Sequence, residues 1–136
     1  MIYSFPSGSY YEGDMVDDCF QGQGSFYFAN GDLYKGEFQN DMFEGYGEYR
    51  YKSGSIYKGF FSKDMFHGIG TFSYQDESIE KGKFHQEKRV GKFYKFDNLS
   101  KEYREVLYQN DISIKSECAN PENVHEDKLP VSHILL

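Results

Sequence analysis

The glycine pairs are the first residues in this sequence whose type and spacing could do chemistry. Gly22-Gln23-Gly24, Gly45-Tyr46-Gly47 and Gly68-Ile69-Gly70 have the outline of phosphate-cradling loops. Such loops need a strand, a glycine turn and then a helix whose N-terminus faces the anion. Here an aromatic run follows each pair, Phe26-Tyr27-Phe28, Tyr49-Arg50-Tyr51 and Phe72-Ser73-Tyr74, so sheet packing explains the glycines better than nucleotide binding. The histidines (His67, His85, His125 and His133) lack the close spacing of a metal site. Asp17-Asp18 and Asp76-Glu77 are loop carboxylates without the partners that acid–base work needs. Cys19 and Cys118 are too few for a disulfide framework, and reduced thiols in a cytosolic protein are expected. Cys19 also stands where Met42 and Met65 stand later in the chain, so packing suits it better than nucleophilic catalysis. No catalytic residue, cofactor or metal ligand is assigned, and a non-enzymatic protein is expected.

What must position these residues is a repeat. At an offset of 23 the chain matches itself: Tyr10-Tyr11-Glu12-Gly13, Leu33-Tyr34-Lys35-Gly36 and Ile56-Tyr57-Lys58-Gly59 share one phase, with a weaker Glu80-Lys81-Gly82. Residues 2–8 match residues 25–31 at the same offset, so the chain opens half a repeat in. Each copy reads as two strands, with apolar and polar residues alternating and turns at residues 29–32 and 52–55. With 136 residues, 19% aromatics and 14 Gly, one small all-β domain is expected, its core made from rings and glycines rather than aliphatic side chains.

The expected architecture is an elongated, single-layer, twisted antiparallel sheet of consecutive hairpins. A three-residue turn is expected to set Phe28 opposite Tyr34, Phe26 opposite Gly36 and Gly24 opposite Phe38. Each ring then faces a gap or another ring. The other face, with Lys35, Glu37, Glu48, Arg50, Lys58, Thr71 and Ser73, is expected to be polar and wet. The repeat domain is placed at 1–111, with a half repeat at 1–10, repeats from 11, 34 and 57, and a degenerate repeat at 80–111. Residues 112–136 are expected to be a mostly disordered tail, whose last six residues read as a frayed apolar end or a docking motif. Residues 100–109 fit a closing strand or a helix, the strand slightly favoured. Cys19-Phe20, Met42-Phe43 and Met65-Phe66 are expected to lie in long connections that fold back and cap the sheet, or form an apolar rim for a partner.

These motifs resemble the MORN (membrane occupation and recognition nexus) repeat over residues 2–96. The resemblance implies a rod-like sheet that acts as a scaffold or adaptor, in cytoskeletal or ciliary settings such as the axonemal radial spoke. It also implies a groove for a partner protein segment involving Phe28, Tyr34, Tyr51, Tyr57 and Tyr74, with Phe26, Tyr49 and Phe72 beneath. The sequence departs from the pattern in the fourth copy, where Glu80 replaces the leading Tyr, Glu77 the turn Gly and Phe93 the second Gly. The aromatic row is therefore expected to end near Tyr74.

Charge separates the chain into bands. Residues 1–78 carry net −7, residues 79–104 net +4 and residues 105–136 net −4. The overall −7 argues against nucleic acid. Lys81, Lys83, Lys88, Arg89, Lys92 and Lys95 form a candidate patch for an anionic partner, with weak anionic-lipid contact as the alternative to protein binding. No small-molecule substrate is implied. A cytoplasmic monomer in a cytoskeletal or ciliary assembly is expected, with Pro6 discouraging pairing at the first edge.

Overall fold

Alternating strands with turn residues between them fold into one open sheet of eleven antiparallel strands, each paired with its neighbours in sequence. The computed structural model describes residues 2–119, and the last six residues lie outside that range. The strands are β1 (Ile2–Ser4), β2 (Tyr10–Val16), β3 (Cys19–Tyr27), β4 (Leu33–Gln39), β5 (Met42–Arg50), β6 (Ile56–Ser62), β7 (Met65–Ser73), β8 (Ile79–His85), β9 (Lys88–Asp97), β10 (Glu102–Gln109) and β11 (Ile112–Ala119). Among the described residues there is no helix. Residues 102–109 form a strand, and the sheet runs eight residues past the boundary expected at 111.

The register differs from the expected one by two residues. Phe26 pairs with Tyr34, Gly24 with Gly36 and Gly22 with Phe38, so glycine faces glycine. Phe28 does not oppose Tyr34. Its N–H bonds the Asp32 carbonyl at 2.9 Å and its carbonyl accepts from Gly31 N–H at 3.0 Å, closing a longer turn. The same turn closes on Phe5, Tyr51 and Tyr74. The physical reason is the direction of the rings. A strand side chain leans along its own strand instead of reaching straight across, so the Tyr34 ring lies over Gly36 and, diagonally, over Gly47. A Cβ at Gly47 would stand 2.7 Å from that ring. Tyr11 and Tyr57 cover Gly24 and Gly70 in the same way. Rings do fill glycine gaps, but at a diagonal.

The glycines of each pair have different jobs. Gly22, Gly45, Gly68 and Gly91 take φ of 73–87°, beside register shifts at Gly13/Met15, Gly36/Phe38, Gly59/Phe61 and Lys81/Lys83. Such bulges bend and twist a strand. The bend lets Phe20, Phe43 and Phe66 fold onto the tyrosines. Tyr11 stacks on Phe20, Tyr34 on Phe43 and Tyr57 on Phe66, with centroids 3.8–3.9 Å apart. The tyrosine hydroxyls donate to the carbonyls of Asp14, Glu37 and Phe60 at 2.6–2.9 Å. Phe38, Phe61 and Phe84 wedge edge-on between successive stacks. Capping is thus what the Phe20, Phe43 and Phe66 segments do, and a single layer carries its own core.

The segments before them are not long connections. Asp17-Asp18, Asn40-Asp41, Lys63-Asp64, Gln86-Glu87 and Asn110-Asp111 are two-residue turns with φ of 48–51° and then 63–72°. This is the left-handed turn that matches strand twist, here made without glycine. Consecutive turns are zipped together. Asp41 and Asp64 N–H groups donate to the Phe20 and Phe43 carbonyls, and their carboxylates accept from the Phe20 and Phe43 N–H groups at 2.7 Å. Asp64→Ala should therefore cost about 1 kcal/mol, while Asp64→Asn, which keeps an acceptor, should stay within half of that. Urea unfolding of the two variants checks the difference.

On the opposite face Lys35, Glu48, Lys58, Thr71 and Lys81 stand in one cross-strand row. This face is not wet throughout. Thr71 is 2% and Lys81 4% exposed, because Thr71 is flanked by the long stems of Lys58 and Lys81.

Candidate functional site

The rings left partly open form one continuous ribbon on the face that carries the core. Each repeat contributes two, one from the end of a strand and one from the turn after it. Along the sheet run Tyr3, Phe5, Phe26, Phe28, Tyr49, Tyr51, Phe72 and Tyr74, with successive centroids 4.7–5.8 Å apart. Tyr3 is 49% and Tyr74 40% exposed, and the rings between them are partly buried. Tilted rings at these distances attract one another and lose little entropy when covered, so the ribbon is stiff and apolar.

The predicted groove residues divide into two layers. Phe26, Phe28, Tyr49, Tyr51, Phe72 and Tyr74 are on the ribbon. Tyr34 and Tyr57 are fully buried beneath stacked phenylalanines, so the expected order of layers is reversed and these two are core. Burial raises both phenols above their ordinary value of 10.0 and keeps them neutral. Tyr3 and Phe5 belong to the ribbon and were missed. Their signal was present in the match of residues 2–8 to 25–31, which makes them the counterparts of Phe26 and Phe28.

Polar groups set the ring orientations. Asp32 accepts from the Tyr49 hydroxyl and from Lys52 N–H, both at 2.8 Å. Two depressions mark the ribbon ends. One, of about 670 Å³, is lined by Ile2, Tyr3, Phe5, Met15, Phe20 and Phe26, with Asp18 and Asp41 at its side. The other, of about 250 Å³, lies beside Tyr74, with Glu80, Lys95 and Arg104 among its walls.

Past Tyr74 the chemistry changes. Glu80 and Arg89 stand 23 residues after Tyr57 and Phe66, so an ion pair replaces a ring stack. Glu80 is 2% exposed. Its carboxylate meets Arg89 at 2.8 Å, Lys95 at 3.6 Å and the Tyr74 hydroxyl at 2.6 Å. Arg89 also pairs with Asp111 and lies over the Tyr108 ring, 4.4 Å from its centroid. The guanidinium holds the Asp111 carboxyl below its ordinary value of 3.8. The core does not stop here: Phe93, Val106 and Tyr108 are buried and continue the edge-on contacts from Phe84.

The candidate basic patch is not one surface. Strand alternation puts Arg89 and Lys95 on the ribbon face, engaged with Glu80, while Lys81, Lys83, Lys88 and Lys92 alternate onto the other. Lys81 is buried, and Lys92 meets Glu105 at 2.8 Å. Among the described residues no group of three His, Cys, Asp or Glu is placed to hold a metal ion.

The stacked Tyr–Phe pair, the diagonal glycine and the bulge glycine recur with the period of a known repeat. The MORN repeat matches at residues 11–33, 34–56 and 57–79, just over half of the chain. The protein belongs to the MORN-repeat family. Its three matched MORN repeats end at Ile79, immediately before the Glu80 position where the ring stack gives way to the ion pair. The half repeat that carries Tyr3 and Phe5 lies ahead of them. No curated protein matches the chain at a significant level.

Proposed function

We propose that this MORN-repeat protein is a non-enzymatic scaffold or adaptor that holds a segment of a partner protein along the ribbon from Tyr3 to Tyr74. The observation that carries the reading is the ribbon itself. The stacked tyrosines and phenylalanines beneath already complete a core, yet a second tier of rings remains partly open. Contiguous apolar surface of this kind on a rigid scaffold marks an interaction site. MORN repeats are typically binding modules rather than enzymes, and the setting we propose, a cytoskeletal or ciliary assembly in the cytoplasm, rests on the family alone.

The test uses Phe28→Ser with Tyr51→Ser, which remove two ribbon rings and leave the buried stacks in place. Partner recovery in affinity purification should fall by more than tenfold, as expected for two central aromatic anchors at about 2 kcal/mol each. Unchanged recovery by a variant with native circular dichroism would sink the proposal. With the basic residues divided between two faces, flotation with anionic liposomes should show no salt-sensitive binding.

A further inference from the structure

Every two-residue turn on one side of the sheet carries an acid at its second position: Asp18, Asp41, Asp64, Glu87 and Asp111. Their φ values of 63–72° are ones for which glycine is the ordinary choice. Asp41, Asp64 and Asp111 use a carboxylate oxygen to bond the preceding hairpin. Glu87 carries the same charge at the same place without that bond, so turn-to-turn bonding does not account for every acid of the row.

The first two of these acids border the ribbon. Asp18 and Asp41 line the same depression as Tyr3, Phe5 and Phe26. Further along, Asp32 in the other row of turns accepts from the Tyr49 hydroxyl at 2.8 Å, and burial and then the charges of Glu87 and Asp32 hold the Tyr51 phenol above its ordinary value of 10.0. Residues 1–78 carry 12 acids against five Lys and Arg. The face is apolar along its middle, and the turns along one edge of the sheet carry an acid once per repeat. A second copy would bring like charge onto it, and so would an anionic membrane.

The interval of the acids selects the conformation of what lies there. Neighbouring strands are about 4.8 Å apart, so turns two strands apart recur at about 10 Å. An α-helix covers about 10.5 Å in seven residues and returns the seventh to nearly the same face. An extended chain covers about 10 Å in three residues, and side chains three apart point to opposite faces. We infer that the partner segment is a basic amphipathic α-helix, with its apolar stripe on the rings and one Lys or Arg every two turns facing Asp18, Asp41, Asp64 and Glu87. The inference rests on the ribbon being the binding face. Each exposed ion pair adds little affinity, and together they set orientation and register.

The test uses the full chain and fluorescent designed helices of about four heptads. One has a leucine stripe and one lysine per heptad beside it. A second has the same composition with its lysines spread around the helix. A third has Glu for Lys, and a fourth a central proline. Fluorescence anisotropy at low and physiological salt should show the first binding about tenfold tighter than each of the others. Asp18→Asn and Glu87→Gln, which break no turn-to-turn bond, should each weaken it about threefold at low salt and less at high salt. Equal binding by the spread-lysine or Glu helix overturns the inference, and equal binding by the proline peptide makes the occupant extended. Binding by none of the four overturns it too. If Phe28→Ser with Tyr51→Ser abolishes binding that shows no lysine preference, the ribbon reading stands and the helix inference fails. Lysine-dependent binding indifferent to those ring changes would sink the ribbon reading instead.

Discussion

Gly47→Ala is expected to destabilise the protein by about 3 kcal/mol, roughly 10 °C in thermal midpoint for a domain of this size. The added methyl would meet the Tyr34 ring at 2.7 Å. That ring cannot move away, because Phe43 is stacked on its outer face at 3.8 Å and its hydroxyl is bonded to the Glu37 carbonyl. Gly91→Ala is the comparison. Gly91 has φ of 74°, but nothing lies within 4 Å of where its Cβ would be. There the loss should be only the left-handed backbone penalty, about 1 kcal/mol. Urea or thermal unfolding separates the two glycines. If Gly47→Ala costs no more than Gly91→Ala, the diagonal ring contact does not govern the repeat.

That contrast also shows what was legible in the sequence and what was not. The 23-residue period, the strands and the use of rings as core are legible because they depend on residue type and spacing. The cross-strand register is not, because two arrangements of ring against glycine suit the same pattern. The choice between them turns on the lean of a side chain along its strand, seen in Tyr34 over Gly47. The two-residue turns were read as long connections because no glycine marks them. Asn40-Asp41 and Lys63-Asp64 accept positive φ, and each gains two bonds to the preceding hairpin. For the same reason the sequence does not reveal that Tyr34 and Tyr57 are core: they fold under Phe43 and Phe66, and the rings left partly open in the central repeats are Phe28 and Tyr51, as expected, with Phe26 and Tyr49 beside them and Tyr3 and Phe5 as their counterparts in the half repeat. Charge blocks along the chain likewise could not reveal that Arg89 and Lys95 are turned towards an internal carboxylate, since strand alternation sends neighbouring lysines to opposite faces.

The fourth repeat is the place where several substitutions must be considered as one. Glu80 stands where Tyr57 stood, Arg89 where Phe66 stood and Phe93 where Gly70 stood. The exchange is compensatory. Without a tyrosine ring over Gly82, the space is filled from the next strand by Phe93, whose ring would lie 2.5 Å from a Cβ at Gly82. The pair Glu80–Arg89 then closes the layer above, as Tyr57–Phe66 does one repeat earlier. Glu80→Tyr alone should therefore be among the most damaging changes, at about 3 kcal/mol or more. It drives a ring into Phe93 and strips Arg89 and Lys95 of their buried partner. Phe93→Gly alone should cost about as much, by opening a cavity over Gly82. The triple change Glu80→Tyr, Arg89→Phe and Phe93→Gly rebuilds the stack of the preceding repeat, and its stability should return to within about 1 kcal/mol of the parent. Hydrophobic replacement of a buried ion pair is commonly neutral or stabilising when the volumes match. Chemical denaturation of the three proteins measures the coupling directly. Costs that simply add would mean that ring, gap and ion pair are independent, and that the fourth repeat has decayed without compensation.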